Sequence, residues 1–308
     1  MGTTLRVIVS ADSRPQGIQA IEEAFEAVRR LDDVLSTWRD SEIARLNNAS
    51  PGKAVPLSSH LYGLLQEAAR WSLLTRGAFD PTIGSLIDAW DLRGAGRIPD
   101  QLALTRARAA HGFRNFVFSD ATGTVSRADS AAWIDTGGFG KGVALREARR
   151  ALLRRGVTRG GLNFGGQVLV VGPDQSGGDW TVPVADPRHR TQPAAWLRFR
   201  DRSASTSSQM ERFVTVHGRR VGHILDPRSG RPVPAWGSVT VVAKDPGTAD
   251  MVSTALLVLG PDAGLRWARD RGDVAVLFLV QHAGGLERRW NSALEEFLVA
   301  DSTFSEGV

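Results

Sequence analysis

Cysteine is absent from this 308-residue chain, which excludes disulfide bonds, thiolate metal ligands, cysteine nucleophiles and lipidation at an N-terminal cysteine. Long apolar runs are absent too. The longest candidate, residues 274–280, is far shorter than the roughly 18 residues that span a bilayer, and it predicts a buried strand. Residues 1–10 alternate like a strand and lack the apolar segment of a signal peptide. We therefore expect either a cytoplasmic protein or one whose export signal is not part of this sequence.

Lysine is scarce, because only Lys53, Lys141 and Lys244 accompany a large number of arginines. The formal net charge is +5, but the basic residues are scattered along the chain and mixed with acidic ones. Nucleic-acid binding favours a concentrated basic face with interleaved aromatic residues, so we expect no nucleic-acid partner. The hydrophobic content of 42% and the charged content of 23% are typical of a globular protein.

The spacing of apolar residues switches between helical and strand periods along the chain. It predicts helices over residues 18–35, 58–76, 101–110, 143–155 and 248–259, with one more helix after Gly260. It predicts strands over residues 5–9, 116–118, 124–125, 161–171, 180–185, 195–199, 213–216, 238–242 and 274–280. Since no linker is long enough to separate domains, we predict an α+β fold: a single domain over residues 1–308, with a mixed β-sheet and packed helices.

Residues 223–230, His-Ile-Leu-Asp-Pro-Arg-Ser-Gly, place an imidazole and a carboxylate beside a tight turn. The Asp-Pro pair and the closing Gly230 are typical of turns, and the residues before them predict the end of a strand. Such a strand end can hold His223 rigidly at the rim of a sheet, where functional sites often lie. On this segment alone an ordinary turn is the favoured interpretation, because short motifs often match by chance.

Residues 137–142, Gly-Gly-Phe-Gly-Lys-Gly, predict a glycine-rich turn between a strand ending at Asp135 and a helix. Backbone N–H groups at a helix start, together with Lys141, suit a phosphate or a pyrophosphate. The spacing matches neither a Walker A loop nor a dinucleotide fingerprint, and close packing of helix and strand explains the glycines equally well. Asp135 and Asp80 could each cap a turn or bond a ligand.

Asp250 and Thr254 lie four residues apart near the start of a predicted helix, so both point to one face. A carboxylate and a hydroxyl are oxygen donors that suit Mg²⁺ bound also to phosphates and water. Taken alone, an aspartate in the first turn, stabilised by the helix dipole, is the more ordinary interpretation. The histidines other than His223 show no spacing typical of metal ligands.

Taken together, eight segments of the chain resemble, in the same order, the ApbE family of FAD:protein FMN transferases. Each is a weak signal alone, and their order makes the resemblance strong. The segments are residues 1–3, residues 35–38 with 41–43 and 46–47, residues 77–84, residues 134–142, residues 163–166, residues 205–207 with 211–212, residues 223–230 and residues 249–255.

The resemblance implies an enzyme that binds FAD, depends on Mg²⁺ and transfers FMN to a threonine or serine hydroxyl of an acceptor protein, with AMP leaving. By position it assigns the flavin-dinucleotide contacts to Met1, Trp38, Ala78, Phe79, Asp80, Asp135, Lys141 and Ile224. It assigns the magnesium ligands to Asp250, Thr254 and the carbonyl of Gly138, with Ser253 beside them. His223 is the expected general base, since an imidazole titrates near neutral pH.

Three departures from the family pattern are visible. Many members have Asp where Arg146 stands, Asp or Asn where Gln167 stands, and a Gly and a Tyr where Ser208 and Met210 stand. Two other functions remain open at this point. One is an FAD pyrophosphatase in which water replaces the protein hydroxyl, and the other is a flavin-binding protein without turnover.

Overall fold

A computed structural model describes residues 2–299 of the chain. Within this range the helices are α1 (Arg14–Leu35), α2 (Glu42–Asn48), α3 (Ser59–Leu74), α4 (Gly84–Trp90), α5 (Gln101–Ala110), α6 (Gly140–Arg154) and α7 (Pro246–Ala268). The strands are β1 (Leu5–Ser10), β2 (Val55–Pro56), β3 (Phe116–Ser119), β4 (Thr124–Arg127), β5 (Arg159–Phe164), β6 (Gln167–Val171), β7 (Trp180–Ala185), β8 (Pro193–Phe199), β9 (Ser203–Ser208), β10 (Phe213–Val216), β11 (Arg219–Gly222), β12 (Leu225–Asp226), β13 (Arg231–Pro232), β14 (Gly237–Ala243), β15 (Val274–His282) and β16 (Gly285–Trp290).

The main sheet contains seven of these strands in the order β1-β5-β6-β9-β14-β15-β16. Each pair of neighbouring strands in it is antiparallel. Strands β2, β4 and β3 form a smaller sheet, and β7-β8, β10-β11 and β12-β13 form two-stranded sheets. The predicted α+β fold class is confirmed. None of the helices in residues 2–299 combines the length and the apolar character needed to cross a membrane.

Both faces of the main sheet are covered, and β15 shows this directly. Its residues Val276 and Phe278 belong to the core that packs against the helices, whereas Leu277 and Leu279 belong to a second core. The second core is closed by the β7-β8 hairpin, which contributes residues such as Phe199. A strand buried on both faces has no polar side, which explains why residues 274–280 form a continuous apolar run.

The longest helices have clear end signals. Helix α7 has Pro246 in its first turn, and the side chain of Asp245 caps it by accepting from the Thr248 amide. Gly260 has a φ of 75° and interrupts the helix, as the predicted break after residue 259 requires. Helix α5 spans the predicted residues 101–110.

Some predicted elements differ from the structure. Residues 161–171 form a hairpin rather than one strand, because Gly165 and Gly166 adopt φ values of 58° and 92° between β5 and β6. The residues before the glycine-rich turn are extended but belong to no strand, so the expected strand ending at Asp135 is wrong. Strand β9, in the middle of the main sheet, was not predicted, because Ser-Ala-Ser-Thr-Ser-Ser lacks large apolar residues.

Candidate functional site

Asp250 is buried between the start of α6 and the sheet, with 2% of its surface exposed. Its Oδ2 accepts from the Gly142 amide at 2.9 Å. Its Oδ1 lies 3.3 Å from the Lys141 ammonium and 3.3 Å from the Ser205 hydroxyl. The helix cap is Asp245, so Asp250 is not needed to cap α7. A buried carboxylate with three donors is held in one orientation, as a ligand-binding group must be.

Thr254 lies one turn after Asp250, and its hydroxyl donates to the Asp250 carbonyl at 3.1 Å. The same Oγ1 lies 3.5 Å from the Gly138 carbonyl oxygen, which belongs to the turn before α6. The structure therefore brings together the three residues that the sequence analysis assigned to a metal. They come from segments more than 100 residues apart, joined where α6 packs on α7.

A glycine is required where α6 and α7 cross. A side-chain carbon at Gly142 would lie 2.2 Å from the Pro246 carbonyl oxygen and 2.8 Å from the Asp250 Cβ. Only a residue without Cβ allows the Gly142 amide to reach the Asp250 carboxylate. The close packing that the glycine-rich turn predicted is thus present, here between α6 and α7. The same packing places Lys141 beside the Asp250 carboxylate.

Three buried serine hydroxyls lie behind Asp250, and the sequence analysis gave none of them a role in holding it. Ser205 and Ser207 on β9 face α7, where the Ser253 hydroxyl lies 3.2 Å and 2.9 Å from theirs. The Ser253 hydroxyl also donates to the Asp250 carbonyl at 3.0 Å. The period-two serine pattern of β9 was the signal that could have revealed this polar face.

The donor set around Asp250 fits a magnesium ion bound together with phosphates. Within residues 2–299, no group of three or more His, Asp and Glu side chains is arranged to hold a metal ion by itself. Mg²⁺ usually takes only one or two carboxylates and completes its shell with water and substrate phosphates. The Asp250 carboxylate, the Thr254 hydroxyl and the Gly138 carbonyl provide oxygen donors of this kind, so the residues present are compatible with such a site.

His223 lies between β11 and β12 and is half-buried. Its Nδ1 is 3.0 Å from the Arg212 carbonyl oxygen. Because a carbonyl only accepts, this bond places the proton on Nδ1 and leaves the Nε2 lone pair available. Burial lowers the pKa of His223 below its ordinary value; the bond to the Arg212 carbonyl opposes this shift, while the positive charges of Arg212 and Lys141 reinforce it. The imidazole is therefore neutral, and able to take a proton, at neutral pH.

Glu211 lies on the segment that precedes β10, and the sequence analysis used it only as part of the family pattern. Burial raises the pKa of Glu211, although the charges of Arg190 and Lys141 act in the opposite direction. The pKa also responds to Asp250, which places Glu211 within electrostatic reach of the candidate metal ligands. Glu211 is thus a second titratable group near the site with a shifted pKa, and its affinity for protons is increased, whereas that of His223 is decreased.

Trp38 and Asp135 both contact Arg93, a residue that was not among the predicted site residues. The Arg93 guanidinium donates to Asp135 Oδ2 at 2.6 Å, and the Asp135 Oδ1 accepts from the Gly137 amide at 2.8 Å. The guanidinium carbon lies 4.4 Å from the centre of the Trp38 ring, whose residue is 74% exposed. Trp38 also lines a surface pocket of about 750 Å³. None of the other predicted site residues within 2–299 lines this pocket.

The Ala78-Phe79-Asp80 segment is buried beside the glycine-rich turn. Phe79 reaches this turn, because its ring would lie 3.4 Å from a Cβ placed on Gly138. The Asp80 Oδ1 accepts from both the amide and the hydroxyl of Thr82, at 2.9 Å and 2.6 Å. Asp80 therefore caps its own turn, which was one of its two predicted roles. The other role, a contact between its side chain and a ligand, stays a prediction.

Ile224 is tied to the main sheet through Gln209, which was not among the predicted site residues. The Gln209 side chain accepts from the Ile224 amide at 2.8 Å and donates to the Ile224 carbonyl at 2.7 Å. This pair of bonds fixes the backbone next to His223. Met1, the remaining predicted flavin contact, lies outside the described residues.

The departures from the family pattern have structural partners. Arg146 bonds both oxygens of Glu67, at 2.8 and 2.7 Å, and both oxygens of Asp245, at 2.7 and 2.6 Å. Burial lowers the pKa of Arg146, but these two carboxylates raise it by more. Gln167 donates to the Pro246 carbonyl at 2.8 Å, and Ser208 donates to the Gly237 carbonyl. Arg146 and Gln167 thus both hold the start of α7.

Comparisons with known proteins agree over nearly the whole chain. The sequence model of the ApbE family matches residues 1–278. The chain is 27% identical to the FAD:protein FMN transferase of Klebsiella pneumoniae, covering 98% of this chain and 88% of that protein. It is 31% identical to the FAD:protein FMN transferase of Treponema pallidum, covering 91% and 82%. The crystal structure of the ApbE protein of Thermotoga maritima aligns with a TM-score of 0.88 at 29% identity, covering 97% of both chains.

Proposed function

The chain belongs to the ApbE family, and from this premise we propose that it is an FAD:protein FMN transferase. It takes FAD as its substrate and attaches the FMN portion to a threonine or serine hydroxyl of an acceptor protein, releasing AMP. The observation that carries the proposal is the convergence of Asp250, Thr254, the Gly138 carbonyl and Lys141 where α6 meets α7. An oxygen donor set beside one ammonium suits a pyrophosphate better than an uncharged substrate.

In the proposed complex, Lys141 and the backbone of the glycine-rich turn bind the pyrophosphate of FAD. Asp250, Thr254 and the Gly138 carbonyl would hold Mg²⁺, and the bound ion would neutralise negative charge on the phosphate oxygens. Ser205 and the Gly142 amide keep the Asp250 carboxylate in place. Trp38 and Asp135 contact the remainder of the dinucleotide.

The tautomer of His223 determines which ring nitrogen acts as the base. Its Nε2 removes the proton of the acceptor hydroxyl while that oxygen attacks the phosphorus on the FMN side of FAD. The bond between this phosphorus and the bridging oxygen breaks, and AMP leaves with the bridging oxygen. The lowered pKa keeps the imidazole neutral before the reaction. Positioning of the two reactants contributes the rest of the rate increase.

The test is incubation of the purified protein with FAD, Mg²⁺ and an acceptor protein that carries a Thr/Ser flavinylation motif. A mass increase of the acceptor by one FMN unit, matched by one AMP, is the expected result. Free FMN and AMP with an unlabelled acceptor would identify a pyrophosphatase instead. FAD recovered intact would identify a binding protein, and either result would overturn the proposal. An acceptor with Ala at the modified position is the control.

A further inference from the structure

Arg93 lies at the meeting point of three segments that the sequence keeps apart. Its guanidinium carbon is 4.4 Å from the centre of the Trp38 ring and 4.3 Å from the centre of the Trp133 ring. The same group donates to the Thr37 hydroxyl at 2.7 Å and to Asp135 Oδ2 at 2.6 Å. The guanidinium thus makes cation–π contacts with two indoles while its N–H groups donate to Thr37 and Asp135.

The contacts of Arg93 fix two groups expected to touch FAD. Trp38 is 74% exposed, so without a stacking partner its ring would be free to rotate. The Asp135 side chain is only 20% exposed, and its negative charge acts on His223, as the positive charge of Lys141 does. Lys141 and His223 are the groups proposed above to act at the pyrophosphate of FAD. FAD carries two negative charges on its pyrophosphate. An uncompensated carboxylate nearby would oppose its binding, and the Arg93 cation removes that opposition.

We propose that Arg93 is a positioning residue for FAD: it orders the Trp38 ring, orients the Asp135 carboxylate and neutralises its charge before the dinucleotide binds. The inference rests on the proposed function, because it takes FAD as the ligand. If it is correct, loss of Arg93 should lower the affinity for FAD and leave proton transfer at His223 unchanged. Lysine should replace arginine only in part, since an ammonium keeps the positive charge but lacks the planar guanidinium that contacts both Trp38 and Trp133 and bonds Asp135.

The test measures FAD binding by titration calorimetry for the wild type, Arg93→Gln, Arg93→Lys, Asp135→Asn and the Arg93→Gln/Asp135→Asn double variant. We expect FAD to bind at least tenfold more weakly to Arg93→Gln and several-fold more weakly to Arg93→Lys. In the double variant the two losses should not multiply, because the residues act as one pair. In the transfer assay Arg93→Lys should raise the KM for FAD and leave kcat close to the wild-type value.

Arg271→Gln is the matched control. The Arg271 guanidinium carbon also lies near two indoles, 5.6 Å from the Trp71 ring centre and 4.4 Å from the Trp267 ring centre. Neither tryptophan is a predicted site residue. Its FAD affinity should stay within twofold of the wild type, even if its melting temperature falls. Comparison of the two variants separates a specific loss of FAD affinity from the general destabilisation caused by removing an arginine that contacts two tryptophans.

FAD affinity within twofold of the wild type for a folded Arg93→Gln variant would overturn the inference. If Arg93→Gln does not fold, wild-type affinity of Arg93→Lys decides against it in the same way. Multiplicative losses in the double variant would refute the pairing with Asp135. A wild-type protein that binds FAD without labelling an acceptor would sink the proposed transfer reaction and leave the binding result for Arg93 intact.

Discussion

Replacement of Asp250 by Asn removes one negative charge and keeps the size of the side chain. In the structure this carboxylate accepts from the Gly142 amide and lies 3.3 Å from the Lys141 ammonium. The carboxamide oxygen can still accept from Gly142, but the ion pair with Lys141 is lost. We therefore expect Asp250→Asn to fold, to bind Mg²⁺ weakly and to lose FMN transfer.

The expected magnitudes follow from these contacts. Loss of a charged hydrogen bond costs about 1.5–3 kcal/mol when both partners are buried; Lys141 is 31% exposed, so about 1 kcal/mol is expected here. This corresponds to a decrease in melting temperature of roughly 2–4 °C. Mutation of groups that merely support a metal ligand already costs 10–100-fold in affinity, so loss of the ligand's charge should weaken Mg²⁺ binding by about 100-fold or more, or about 2.7 kcal/mol.

The assay is a thermal-shift titration with Mg²⁺ at a fixed, saturating FAD concentration, followed by the transfer assay. Because a ligand raises the melting temperature only when it binds the folded protein, Asp250→Asn should show a much smaller shift. Asp245→Asn is the control: it makes the same substitution at the start of the same helix, keeps the cap and also loses an ion pair, with Arg146, but Asp245 is not an assigned metal ligand. Its melting temperature should fall while its Mg²⁺-dependent shift stays as large as in the wild type. A full Mg²⁺-dependent shift and wild-type transfer in Asp250→Asn would refute the assignment of the metal ligands.

Three further predictions concern the base, the helix crossing and the ion cluster. His223→Ala should bind FAD normally and transfer FMN slowly; in the wild type the acidic limb of kcat/KM should have its midpoint below 6.5, because burial lowers the pKa of His223 and only the neutral ring accepts a proton. A midpoint above 6.5, or a wild-type rate for the variant, would contradict its role as base. Gly142→Ala should lower the free energy of unfolding by about 3 kcal/mol and abolish transfer, since its Cβ would clash with the Pro246 carbonyl; Gly63→Ala, a position with free space in α3, should be neutral or stabilising in the same urea titration. Arg146→Met should cost about 2–3 kcal/mol, because it leaves two partly exposed carboxylates unpaired, and urea unfolding would show this as a lower midpoint; an unchanged midpoint would mean that the ion cluster contributes nothing.

The regular elements were predictable where at least one face of a helix or strand is apolar. The prediction for residues 101–110 coincides with α5, and residues 274–280 lie within β15. Strand β9 lies inside the main sheet but was not predicted, because it has no apolar face toward α7. The side chains on that face are hydroxyls that form hydrogen bonds with Ser253 of α7. The hairpin of β5 and β6 was missed because Gly165-Gly166 lies inside a run that otherwise resembles one long strand.

The candidate site was predictable in its residues but not in its contacts. The order of short motifs pointed to Asp250, Thr254 and Gly138, and the structure places them together. Arg93 lies in a loop without any recognisable motif, so no local pattern indicated its bond to Asp135, 42 residues away. Ser205 belonged to a matched segment, yet its donation to Asp250 depends on how β9 packs under α7.

The sequence by itself determined the fold class, the family resemblance and the chemical types available at the site, because these depend on residue identity and spacing along one segment. Only the tertiary structure decided which groups meet. The Gly142 amide reaches a carboxylate 108 residues later, and this requires two helices to cross without a side chain between them. Periodicity reports which face of an element is buried, whereas the partner of that face is chosen by packing of the whole chain.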